Sequence, residues 1–185
     1  MNIGLNVGYR LLGADGKVKK TFQENALFRW LMRKGILSPH AWKVPFLLGH
    51  WTDYAMRSNL VTNAGLGEVT NLMGNVSSPT AFGYIAVGTG TTAAAAGNTA
   101  LETEVATSGL SRAASTNTRQ TTTTTNDTAQ FLKSFSVTGS VAVTESGVLN
   151  AASSGVLLCR QVFSAINVAN GDTLQITWKV VLADA

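Results

Sequence analysis

The sequence predicts a mainly β protein: a jelly-roll-like antiparallel β-sandwich with one or two short helices and an extended N-terminal arm. Three observations predict it. From Phe82 onward, short apolar runs recur between Gly, Asn, Ser and Asp, and no long helical pattern separates them. That spacing suits antiparallel pairing rather than helical crossovers. The final run alternates Leu174, Ile176, Trp178, Val180 and Leu182 with Gln175, Thr177 and Lys179, which predicts one buried strand face. Charge then divides the chain. Residues 1–58 carry nine Lys/Arg against three acids, a balance of +6, whereas residues 59–185 carry five against seven, a balance of −2. The first part also holds Trp30, Trp42 and Trp51, so residues 1–58 are expected to be a basic aromatic arm and 59–185 the sandwich domain.

In chain order, residues 3–12 read as a strand turned by Gly13-Ala14-Asp15-Gly16. Thr21 and Glu24 then stand at capping-box spacing before FQENALFRWLMRKG, where Phe22, Ala26, Leu27, Trp30 and Leu31 recur with helical period. Residues 36–58 show no period and hold two prolines, so an extended connector is expected. A second helix is predicted over 63–73, with Thr62 as N-cap, Leu66, Val69, Leu72 and Met73 as its stripe and Gly74 as its end. The predicted strands are 82–87, 111–125, 128–138, 141–150, 155–163 and 172–182. The threonine run 121–125 is taken as exposed strand, because β-branched residues favour extended backbone.

Only 13% of the residues are charged, against about 25% in ordinary globular chains. A surface built from Thr, Ser, Asn, Gly and Ala is weakly solvated, which suits burial against other subunits and predicts a homo-oligomer. Cys159 is the single cysteine, so it forms no intrachain disulfide and is read as a small core residue. No apolar stretch reaches the ~20 residues that span a bilayer, and the N-terminus lacks the order of a secretory signal. Synthesis in a reducing cytoplasm is expected, with no membrane partner.

The motifs argue against catalysis. AVGTGTTAAAAG (86–97) fits a loose dinucleotide fingerprint, but a poor helix follows it and no acid lies at the expected distance. No lysine-bearing phosphate loop is present. Glu102 and Glu104, two apart, would share one solvated strand face, and His40 and His50 lack the companions a metal site requires. The expectation is a non-enzyme with no cofactor and no metal. The basic residues of the arm are scattered among aromatics, which suits a protein neighbour better than nucleic acid. Arg29, Trp30, Arg33, Trp42, Trp51 and Arg57 are the candidate partner contacts.

One ordered series of motifs points further. NLVTNAGLGEVTNLM (59–73) precedes FGYIAVGTG (82–90), GNTALETEV (97–105) and Arg112; VTESGVLNAASSGVLLCRQVF (143–163) and GDTLQITWKVVL (171–182) follow. This series resembles the tailed-bacteriophage virion proteins related to the N-terminal, virion-attaching domain of tail-collar fibres. The resemblance implies a β-sandwich module that holds one virion component to another, and it makes AVGTG a strand end with its turn. Glycine there is expected to supply backbone angles closed to other residues. A fibre's shaft and receptor-binding tip are not in this sequence. The expectation is therefore an adaptor of the tail, collar or fibre region, located in the virion, with the arm as anchor. Its expected partners are other virion proteins, whether of the tail, collar or fibre or the major capsid protein. The alternatives are a capsid decoration (cement) protein that stabilises the head and, from a different class, a carbohydrate-binding β-module for host recognition.

Overall fold

The computed structural model describes residues 2–25, 27, 30, 31, 34, 49–52, 55–58 and 60–183. Two antiparallel sheets pack face to face. The first takes its strands from both ends of the chain: β1 (Asn2–Leu12), β2 (Val18–Lys19), β5 (Ala55–Ser58), β9 (Thr116–Gln120), β10 (Thr128–Ser136) and β13 (Thr173–Ala183). Its order is β2–β1–β13–β10–β9, with β5 beside β1 as well. The second comprises β6 (Leu60–Val61), β7 (Tyr84–Gly88), β8 (Ala113–Ala114), β11 (Val141–Leu149) and β12 (Leu157–Val168), in the order β6–β12–β11–β7–β8. A separate pair, β3 (Thr21–Glu24) and β4 (Gly49–Thr52), completes the strands. The predicted antiparallel β-sandwich is therefore what the chain forms. It shares with a jelly roll the pairing of first and last strands and the crossings β10 to β11 and β12 to β13, whereas β11 and β12 form a hairpin within one sheet.

The core lies between the sheets because the facing strands alternate apolar residues with period two. Val7, Tyr9 and Leu11 of β1, Phe131 and Phe135 of β10, and Leu174, Ile176 and Trp178 of β13 meet Ile85, Val87, Val148 and Phe163 of the second sheet. Trp178 sits in register between Val7 and Phe131 and is fully buried. Its indole N–H donates to Ser146 Oγ at 3.1 Å, and that hydroxyl donates to Ala86 O at 2.9 Å. The Tyr9 and Phe163 rings lie 4.9 Å apart at 31°. The second sheet is also covered on its outer face, where Leu101 packs with Ala86, Leu149 and Leu157.

Helix α1 (Asn63–Gly74) packs on β12, and its predicted cap forms. Thr62 Oγ1 accepts the Gly65 N–H at 2.9 Å and donates to Leu157 O. Gly65 lies so close to the strand that a Cβ there would stand 2.5 Å from Leu158 O. The helix ends at Asn75 in the left-handed region (φ 50), rather than at Gly74 itself.

Several expectations are corrected. Residues 2–12, grouped with the arm on composition, are an inner strand of the first sheet: β1 pairs with β13 along its whole length. β5, also from residues 1–58, pairs with β1 as well. Thr21–Glu24 forms no capping box, because these residues pair with Gly49–Thr52 and extend the backbone. Leu27, Trp30 and Leu31 are helical further on. Within the expected connector, 36–58, residues 36–48, 53 and 54 lie outside the described residues. The threonine run is not strand beyond Gln120. The Asp127 carboxylate accepts the N–H groups of Thr122, Thr123 and Thr124 at 2.8, 2.7 and 2.8 Å and folds 121–125 into a turn. Side-chain to backbone bonds of this kind outcompete strand pairing.

Candidate functional site

The motifs singled out above converge on one carboxylate. Glu145 of β11 is fully buried and stands directly opposite Gly88 of β7. Its Oε1 accepts the backbone N–H groups of Gly90 at 3.0 Å and Thr103 at 2.8 Å. Its Oε2 accepts the Glu102 N–H at 3.1 Å and Arg160 Nε–H at 2.6 Å. A carboxylate offers about four acceptor positions, and all are used. The β11–β12 register shifts between Val143 and Glu145. Consistent with the way such irregularities re-aim side chains, the neighbouring Thr144 hydroxyl also donates to Gly90 O, at 2.7 Å.

This arrangement explains the two glycines. Neither has a left-handed φ; the glycines that do are Gly16, Gly109, Gly155 and Gly171 among the described residues. The expectation of unusual backbone angles is therefore corrected: glycine is needed for space. A Cβ on Gly88 would overlap Glu145 Oε1, and one on Gly90 would lie 2.5 Å from both Glu145 Oε1 and the Glu102 Cβ. The loop after AVGTG does cradle an anion, and that anion is the protein's own carboxylate. Amides that could bind a phosphate are already donated to Glu145.

Glu102 and Glu104 do not share a solvated face. Glu102 accepts the N–H and hydroxyl of Thr92, both at 2.7 Å, and takes Arg160 Nη2 at 3.3 Å. The Thr92 hydroxyl above all, then its N–H, holds the Glu102 carboxyl below the ordinary 4.5. Glu104 instead forms a two-pronged pair with Arg112 at 2.9 and 2.6 Å. Arg112 Nη1 also donates to Ala151 O and Ser154 O, at 3.1 and 2.7 Å, and so ties the loop to the β11–β12 turn. Arg160, only 2% exposed, completes its set with Asn98 Oδ1 at 3.2 Å. Loop 89–112 is thus held to the second sheet by the buried Glu145–Arg160 pair and the Glu104–Arg112 pair, with Glu102 more exposed at the loop's rim.

Arg160 escaped the sequence reading because it lies inside the apolar run VLLCRQVF. The available signal was its place in a hairpin: the register sets Gly147 opposite Arg160 and Glu145 opposite Val162, which makes Glu145 and Arg160 diagonal neighbours. Cys159 beside it is buried in the core as expected, and burial pushes its thiol up.

The six candidate partner contacts fare differently. Arg29, Arg33 and Trp42 lie outside the described residues. Trp51 stands opposite Phe22 in the β3–β4 pair, and Arg57 stands opposite Val7 on β5. Trp30 is helical and 53% exposed, and Leu27, three residues earlier, is 49% exposed. His40 is outside the described residues and His50 is in β4. Among the described residues no group of His, Cys, Asp or Glu is placed to hold a metal, and no helix is long and apolar enough to cross a membrane. No family model matches the chain, and no curated protein or solved structure matches it either.

Proposed function

We propose that this chain is a non-enzymatic structural protein of a tailed-bacteriophage virion, an adaptor of the tail, collar or fibre region that acts as a homo-oligomer. The observation that carries the reading is the fate of the motif residues. Gly88, Gly90, Glu104, Arg112 and Glu145, the residues on which the family resemblance rests, belong to the bonds and close approaches that clamp loop 89–112 to the sheet. A module whose charged groups are spent on holding its own shape works through its surface. The surface suits protein contact: it is poor in charge, and Leu27 and Trp30 expose apolar area on one helical segment.

Immunogold labelling of purified particles with an antibody to this chain tests the reading. Label on tails or necks is expected. Label spread over heads would replace the adaptor with a capsid decoration protein, and particles without label would overturn both. Binding to host glycans by the isolated protein would instead favour the carbohydrate-recognition alternative.

A further inference from the structure

We infer that the outward face of the first sheet docks an acidic protein surface. The inference rests on the proposed adaptor role, whose partner it assigns a chemistry, but not on where in a particle that partner lies. The six strands of this sheet contain six basic residues, Arg10, Lys19, Arg57, Arg119, Lys133 and Lys179, and no Asp or Glu. Charge of one sign on one layer repels itself, and its field draws a partner of the opposite sign. Lys19 is neutralised by Asp172 at 2.7 Å, whereas Arg10 and Lys179 have no ion-pair partner among the described residues. Their direction follows from the pleat. Tyr9 and Leu11 are buried in the core, as are Trp178 and Val180, so Arg10 and Lys179 between them turn outward. Arg10 stands opposite Gln175, and Lys179 stands between Asn6 and Gln130. Four residues of β13 separate these two rows, roughly 14 Å along the strand. Leu12 and Leu132 also hold outward positions and are only partly buried, so the face offers apolar contact as well. The outer face of the second sheet, by contrast, is covered by the chain's own Leu101.

Charge and spacing select the occupant. A second copy fits poorly, because Glu68, Glu102, Glu104, Asp127, Glu145 and Asp172 are spent on the chain's own N–H groups, arginines and Lys19. Duplex nucleic acid fits poorly too. It carries one charge per about 1.7 Å of axis and rewards dense neutralisation, whereas the two free cations stand far apart among uncharged residues. A protein surface with a few carboxylates and some apolar side chains matches both the spacing and the mixed character of the face.

Fluorescence anisotropy of the full chain with a labelled polyglutamate peptide, at about 0.15 M salt, tests this. Binding is expected. Arg10→Gln combined with Lys179→Gln should weaken it roughly tenfold, the share that two exposed ion pairs can carry. Arg119→Gln combined with Lys133→Gln removes the same charge from inward register positions near the β9 edge and should change binding little. Lys179→Arg keeps the charge and should bind as the wild type does. All of these variants should keep the wild-type circular dichroism, because each position is at least partly exposed. Equal weakening by the two neutralised pairs would show that net charge alone binds the peptide and would overturn the face. No binding, or tighter binding of duplex DNA than of polyglutamate, would overturn the acidic protein partner. None of these outcomes alters the immunogold result, so the docking face and the virion role fail separately.

Discussion

Glu145 does within this chain what a bound anion does elsewhere: it gathers backbone amides from a loop that would otherwise have no reason to close. The cost of burying its charge is offset by one guanidinium and three N–H groups, so the arrangement is stable only when complete. Glu145→Gln removes the charge, leaves Arg160 buried against a neutral amide and turns a donor toward at least one N–H. Breaking a buried pair in this way costs about 3 kcal/mol, which corresponds to a fall of roughly 6–12 °C in melting temperature for a chain of this size. Differential scanning fluorimetry of the variant checks it. The glycines supply a contrast of sign. Gly88→Ala forces a Cβ onto Glu145 and within 2.5 Å of Thr103 O and should destabilise strongly. Gly67→Ala meets nothing within 4 Å on the face of α1 and should stabilise by about 0.5–1 kcal/mol through helix propensity. At this scale the sequence showed that GTG was a turn but not what filled it. That answer needed the partner 55 residues away, which a one-dimensional motif does not contain.

The elements that could be read in advance were those whose signals are local. Helix α1 has its cap and its stop within a dozen residues, but of its expected stripe only Val69 and Leu72 pack on the core, while Leu66 and Met73 are 43% and 73% exposed. β13 announces a buried face by strict alternation, although the last residue of that face, Leu182, is 48% exposed. The misread elements are those decided by distant partners. Thr21 and Glu24 have capping-box spacing, but pairing with Gly49–Thr52 overrides it, and the threonine run is folded by an aspartate beyond its end. β1 was legible as a strand yet assigned to the wrong unit, because composition follows the chain while the sheet joins its two ends. Truncation tests that correction. Removing residues 1–12 strips Val7, Tyr9 and Leu11 from the core and leaves Trp178 without its neighbour in register. The truncated chain should lose its cooperative thermal transition by near-ultraviolet circular dichroism. A sharp transition in that protein would show that the sandwich closes without β1.

For the whole molecule, carboxylates fasten the corners as well as the loop. The Thr80 N–H above all lowers Glu68 on α1, and the Thr124 N–H lowers Asp127. Burial would raise Asp172, but Lys19 at 2.7 Å and the Ala169 N–H outweigh it and hold the carboxyl below the ordinary 3.8. A folded-state value below the unfolded one stabilises the fold at pH above the unfolded value, and that contribution disappears as pH falls toward the folded value. The melting temperature is therefore expected to be nearly flat from pH 5 to 7 and to drop below about pH 4. What the sandwich presents to its surroundings is a surface poor in charge, which supports the proposed role as a partner-binding structural protein. The most direct test of the proposed virion role is quantitative mass spectrometry of density-purified tailed-phage particles from lysates in which the chain is produced. This protein is expected at a fixed ratio to the particles' other structural proteins, retained through repeated banding. Recovery only in the unassembled fraction of the lysate, with none in the particles, would contradict it.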